Sequence, residues 1–219
     1  MDWLRRTHRA SDPATAAPAE VLPEPVERPT PGVAALLEGV SEDRSHAVLD
    51  LGPASAASLR VYSRFARRIR FADLLTPAMS PEGCAEALED VPAQPDRPYD
   101  LVFAWDVLDR LFPEERPRLV KRLAELGSAD ARLHVVTEAS GRSAVHPLRF
   151  SLLDVDRMRH EVTGPARPTR RQLLPAELER LLAPFQVVHA FTLKGGLREY
   201  VAIRQGAVGP RREVPPPYS

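Results

Sequence analysis

The strongest constraint on this chain is a series of short apolar segments that alternate with amphipathic ones. His46–Leu51 (HAVLDL) is too short for a helix, and it stops at Gly52-Pro53. Such a run predicts a strand covered on both faces, as in parallel sheets. Residues 55–66 follow with Leu59, Tyr62 and Ala66 at helical spacing and Val61 and Phe65 beside them. Arg68–Leu74 predicts a second strand, Pro81–Asp90 a helix opened by its proline, and Tyr99–Trp105 a third strand. Glu114–Leu126 predicts a helix with Pro113 at its start and glutamates in its first turn. Leu119, Val120, Leu123 and Leu126 form its inward stripe, and Gly127 ends it. Arg132–Ala139 predicts a fourth strand and Pro175–Leu182 a last helix. Gln186–Thr192 and Leu197–Arg204, around Lys194-Gly195-Gly196, predict a hairpin. The order implies an α/β, doubly wound, mostly parallel sheet of about six strands with a closing antiparallel hairpin. Right-handed crossovers bring the carboxyl ends of the parallel strands to one rim. A ligand belongs there, where the strand order reverses.

Both ends of the chain read differently. Residues 1–31 hold Pro13, Pro18, Pro23, Pro25, Pro29 and Pro31 among small and polar residues, and 206–219 (GAVGPRREVPPPYS) is alike. Such segments bury too little apolar surface to offset the entropy of ordering, so two disordered tails are expected around one domain at 32–205. The 30 basic and 30 acidic residues cancel. That balance argues against a basic face for nucleic acid and gives no steering argument for a partner or an oligomeric state. No apolar run approaches the roughly 18 residues of a membrane span. The first residues, MDWLRR, lack the apolar stretch of a secretion signal. A soluble cytoplasmic protein with no membrane partner is expected. The lone Cys84 builds neither an internal disulfide nor a thiolate metal site, and no metal is expected.

Four carboxylates fall at or just beyond the predicted strand ends: Asp50, Asp73, Asp106 and Glu138. Each has an ordinary reading as well as a ligand-binding one. Asp50 suits a helix cap, Asp106 and Asp109 suit a helix start, and Glu138 suits an arginine partner. His134, inside a strand, reads as a core residue. His146, Arg149, Arg157, Arg159 and His160 lie between the fourth strand and the last helix, and read as a solvated basic helix face or as a cationic substrate side. The dinucleotide fingerprint, the phosphate-loop motif, the zinc-protease motif and the nucleophile elbow are all missing.

Four features together resemble the class I S-adenosylmethionine-dependent methyltransferases over about residues 32–205. They are Val48-Leu49-Asp50-Leu51-Gly52, Asp73 about 20 residues beyond that glycine, the segment Tyr99–Leu108 (YDLVFAWDVL), and the hairpin carrying Arg198–Ala202. The resemblance implies S-adenosylmethionine as cofactor, a small-molecule acceptor and a Rossmann-like fold. Asp50 and Gly52 would meet the methionine part and Asp73 the ribose. Asp106 or Trp105 would border adenine or the acceptor, with Glu138 and Arg149 on the substrate side. Two departures are visible. The family's Gly-x-Gly-x-Gly reads Gly52-Pro53-Ala54-Ser55-Ala56, and the prolines between Leu74 and Tyr99 predict that the family's third strand is missing or vestigial. The acids suggest an enzyme. The departures suggest an inactive binding or scaffold protein on the same fold.

Overall fold

A computed structural model describes residues 22–74, 98–168 and 172–206. The helix expected at Pro81–Asp90 and the stretch where the third strand was expected to be missing lie outside the described residues. The other elements run in chain order as β1 (Val26–Pro29), α1 (Pro31–Leu36), β2 (His46–Asp50), α2 (Ala56–Tyr62), β3 (Ala66–Phe71) and β4 (Tyr99–Phe103). They continue with α3 (Val107–Arg110), α4 (Arg116–Leu126), β5 (Gly127–Glu138), β6 (Ala144–Val145), β7 (Leu148–Asp154) and β8 (Arg157–Val162). Last come β9 (Arg167–Pro168), α5 (Pro175–Leu181), β10 (Phe185–Thr192) and β11 (Leu197–Arg204).

Six strands form the central sheet in the order β10-β11-β5-β4-β2-β3. β3, β2, β4 and β5 are parallel, and β11 and β10 close the sheet antiparallel. β2 is buried from Ala47 to Asp50, which explains its unbroken apolar run. α2 begins where Ser55 accepts a hydrogen bond from the Ser58 backbone, and it packs Val61 and Tyr62 inward. α4 buries the stripe read from its sequence. It passes into β5 without a loop, because Gly127 takes an extended conformation and lies where a Cβ would come within 2.7 Å of Ala131. β5 therefore starts earlier than the expected Arg132.

Two expectations are corrected. Val26–Pro29, inside the segment expected to be a disordered tail, form β1, which pairs antiparallel with β8 from Val26 opposite His160 to Pro29 opposite Arg157. The segment read as a basic helix face is a β7–β8 hairpin, and with β1 it forms a second, three-stranded sheet. Its residues alternate. Phe150, Leu152, Met158 and His160 are buried, and Arg149, Arg157 and Arg159 lie on the other face. Two of those arginines pair with Glu27 of β1. Among the described residues no helix is long and apolar enough to cross a membrane.

The small sheet is tied down around Phe150. Leu152 N–H donates to the Ser58 hydroxyl of α2 at 3.0 Å, Arg110 donates to the Leu148 carbonyl, and Thr30 N–H donates to the Asp156 carbonyl at 2.8 Å. The hairpin thereby lies over the carboxyl ends of β2 and β4.

Candidate functional site

The parallel order reverses between β2 and β4. From β2 the chain first steps outward to β3, then returns to the other side as β4. β2 ends on Asp50 and leaves through Leu51-Gly52-Pro53, while Trp105 follows the end of β4. The two exits flank the position where this architecture places ligands.

Asp50 is 2% exposed. Its Oδ1 accepts from the Gly52 N–H at 2.7 Å and from the Trp105 indole N–H at 2.6 Å, and its Oδ2 accepts from the Tyr62 hydroxyl at 2.7 Å. Burial pushes its carboxyl up to about 6, against the pull of those three donors. The same burial and the neighbouring carboxylate push the Tyr62 hydroxyl well above its ordinary value.

Trp105 is wholly buried and turns inward onto Asp50. It stacks on Phe150 with centroids 5.3 Å apart and planes 1° from parallel, and it meets His134 edge-on at 5.5 Å. A Cβ on Gly52 would lie 3.2 Å from the indole, so turn and ring touch. An added methyl group would require the ring or the Asp50 carboxylate to give by a few tenths of an ångström. Trp105 takes φ +47, a left-handed conformation that is costly for a bulky residue. Ala54 and Ala56 are exposed, so the space beside the turn is filled by Trp105 and not by the two alanines.

The other acids share the rim. Ala72 and Leu74 donate their N–H groups to the carbonyls of Asp50 and Leu51, which fixes Asp73 beside the turn with φ +33. Asp106 pairs with Arg110 at 2.9 Å, and burial pushes its carboxyl up despite that cation. Asp109 accepts the Glu138 N–H at 2.6 Å. Burial, opposed by that bond and reinforced by Asp106, pushes Asp109 up to about 7. The Glu138 carboxylate accepts the Ser140 N–H at 2.6 Å. Asp50, Gly52, Asp73, Asp106 and Glu138 are therefore on one rim. Arg149 is not, because it lies on the hairpin face opposite Phe150, exposed and 4.0 Å from Glu161. The inward roles of Trp105 and Phe150, and the partner of Tyr62, escape sequence reasoning. The period-two pattern of Leu148–Asp154 carries the signal for Phe150, and a buried tyrosine's need of a partner carries that for Tyr62.

The Asp50 carboxylate suits a cation, yet three protein donors already occupy it and the buried Trp105 ring leaves no room for a ligand beside it. In this conformation the site does not fit S-adenosylmethionine.

Asp109 gives a pH test. A carboxyl whose pKa is raised on folding holds its proton between about pH 4 and 7, so stability is lost as pH rises through that window. Asp109→Asn keeps an acceptor for the Glu138 N–H and removes the titration. Urea unfolding is expected to show the variant about 2 kcal/mol more stable than the parent at pH 8, with no gain at pH 4. Parallel pH curves would contradict the assignment.

No protein-family model matches the chain, and no curated protein matches it in sequence. Solved structures match it in shape. The N-methyltransferase NodS from Bradyrhizobium japonicum WM9 is 11% identical over 79% of this chain and 92% of its own, with a TM-score of 0.50. An S-adenosylmethionine-dependent methyltransferase from Mesorhizobium loti is 15% identical over 80% of this chain and 96% of its own, with a TM-score of 0.49. The 1,6-didemethyltoxoflavin-N1-methyltransferase of Burkholderia thailandensis, with S-adenosylhomocysteine bound, is 18% identical over 80% of this chain and 77% of its own, with a TM-score of 0.44.

Proposed function

We propose that this chain, which has the Rossmann-like fold of the S-adenosylmethionine-dependent methyltransferases, is itself such an enzyme, acts on a small molecule, and is described here in a closed conformation. The observation that carries the reading is Asp50. It ends β2 at the switch point, is buried, and accepts one of its three hydrogen bonds from a side chain that a ligand's ammonium could replace. When bound, the cofactor supplies an electrophilic methyl group. This chain's part is to receive the ammonium at Asp50 and ribose hydroxyls at Asp73, and to exclude water beneath the β7–β8 hairpin. Glu138 and Asp106 border the acceptor side. Arg149 is left out of this proposal, since it faces away from the rim.

A second reading has its own observation. Trp105 is wholly buried against Asp50, and Pro53 offers no N–H to a ligand, as suits a binding protein that kept the fold and lost the cofactor. Calorimetry separates the two. Heat on titrating S-adenosylmethionine, lost in Asp73→Ala, is the expected result. No heat at millimolar ligand, in protein with a cooperative melting transition, favours the second reading.

A further inference from the structure

We propose that the cavity between the start of α4 and α5 is a binding site for a small organic acid, one that carries its carboxylate at the end of an apolar chain. The cavity measures about 330 Å³ and is lined by Pro113, Arg116, Leu173, Glu177, Arg180 and Leu181. The inference goes beyond the enzyme reading and does not depend on Asp50 or Trp105. Both walls are held by bonds of their own. Arg116 is 3% exposed, and its Nε donates to the Leu108 carbonyl at 2.8 Å. The Gln172 amide donates to the Glu138 carbonyl at 3.0 Å, which anchors the segment carrying Leu173 to the end of β5. Glu177 turns its carboxylate back to the Leu174 N–H at 3.3 Å and closes the first turn of α5. The cavity is therefore formed before any ligand arrives.

Charge and shape choose the occupant. Two of the three charged lining residues are arginines, and the glutamate is directed to its own helix start. Arg116 supplies a fixed positive charge. Arg180 is exposed and bonds through its Nε to the Ala176 carbonyl at 3.0 Å, so its outer nitrogens face solvent and suit a carboxylate. Pro113, Leu173 and Leu181 supply apolar wall, and the exposed Phe112 and Leu174 extend it along the chain. An inorganic anion would leave that wall uncovered, and a neutral apolar molecule would leave the arginines unused. A protein partner is disfavoured by size, since a stable interface takes roughly 20–30 residues a side and six line this hollow.

Octanoate is the probe, with octan-1-ol and octylammonium as its neutral and cationic counterparts, each titrated calorimetrically into the full chain. Octanoate is expected to bind with a Kd of about 1 mM, octanol about tenfold more weakly, and octylammonium without saturable heat. Arg180→Gln is expected to weaken octanoate about fivefold and to leave octanol unchanged, whereas Leu173→Ser weakens both. In 15N-labelled protein the amide signals of Leu174, Glu177 and Leu181 should move with the same affinity. No saturable heat at about 10 mM octanoate overturns the inference. So does octanol binding as tightly as octanoate, octanoate binding unchanged in Arg180→Gln, or signals that move elsewhere in the chain. Arg180 is exposed, so its replacement tests the site without endangering the fold. If Leu173→Ser fails to fold, Arg180→Gln and the octanol comparison decide alone. Failure here leaves the enzyme reading standing, because neither variant touches Asp50 or Asp73.

Discussion

Replacing Trp105 with alanine is expected to lower unfolding stability by about 4 kcal/mol, read as a lower urea midpoint at unchanged slope. Three losses add. The largest side chain in the core is fully buried, so its removal forfeits transfer energy and leaves a cavity beside Phe150 and His134. Asp50, itself buried, loses one of its three donors. Trp105→Phe separates the terms. It retains most of the packing and loses the N–H, and is expected to cost about 2 kcal/mol. A cost below about 1 kcal/mol for the alanine variant would mean that the ring contributes little to the closed state.

Replacing Glu199 with alanine is expected to cost about as much, by a different route. Glu199, on β11, is wholly buried. Its carboxylate accepts from the Thr30 hydroxyl, from the Gly32 N–H at 2.8 Å and from His134 Nε2 at 3.2 Å. Burial would raise its pKa, but His134, Thr30 and Gly32 together hold it below the usual carboxylate range. Truncation strands those donors in the interior and is expected to cost about 3–5 kcal/mol. The loss falls on the join between α1 and the sheet. α1 approaches so closely that a Cβ on Gly32 would lie 2.8 Å from the Glu199 Cβ. Protease cleavage near β1 should therefore rise before the central sheet opens. Uniform loosening of the whole chain would contradict this division.

The parallel core was legible because its signals are local and redundant. The apolar run of β2, the proline and inward stripe of α4, and the glycines between β10 and β11 each name an element alone, and their order names the fold. The carboxylates at strand ends were legible for the same reason, since strand ends fall where apolar runs stop. The small sheet was not. Arg149, Arg157 and Arg159 look like a solvated face on any periodicity, and a pairing between β1 and β8 joins residues far apart in sequence. Nor could spacing say which way Trp105 points. Beyond a strand end, side-chain direction follows backbone conformation, and φ +47 at a tryptophan has no sequence signature. The alanines at positions 54 and 56 are exposed, and the side chain that packs on the turn comes instead from the neighbouring strand exit.

The central proposal, that a ligand ammonium can replace the Trp105 indole N–H at Asp50, is tested most directly by the indole N–H signals of 15N-labelled protein. In the free protein, Trp105 is expected to give a downfield signal that exchanges slowly with solvent. Saturation with S-adenosylmethionine should abolish that protection. A Trp105 N–H that stays protected while the ligand is bound, or that exchanges freely before any is added, would contradict the account.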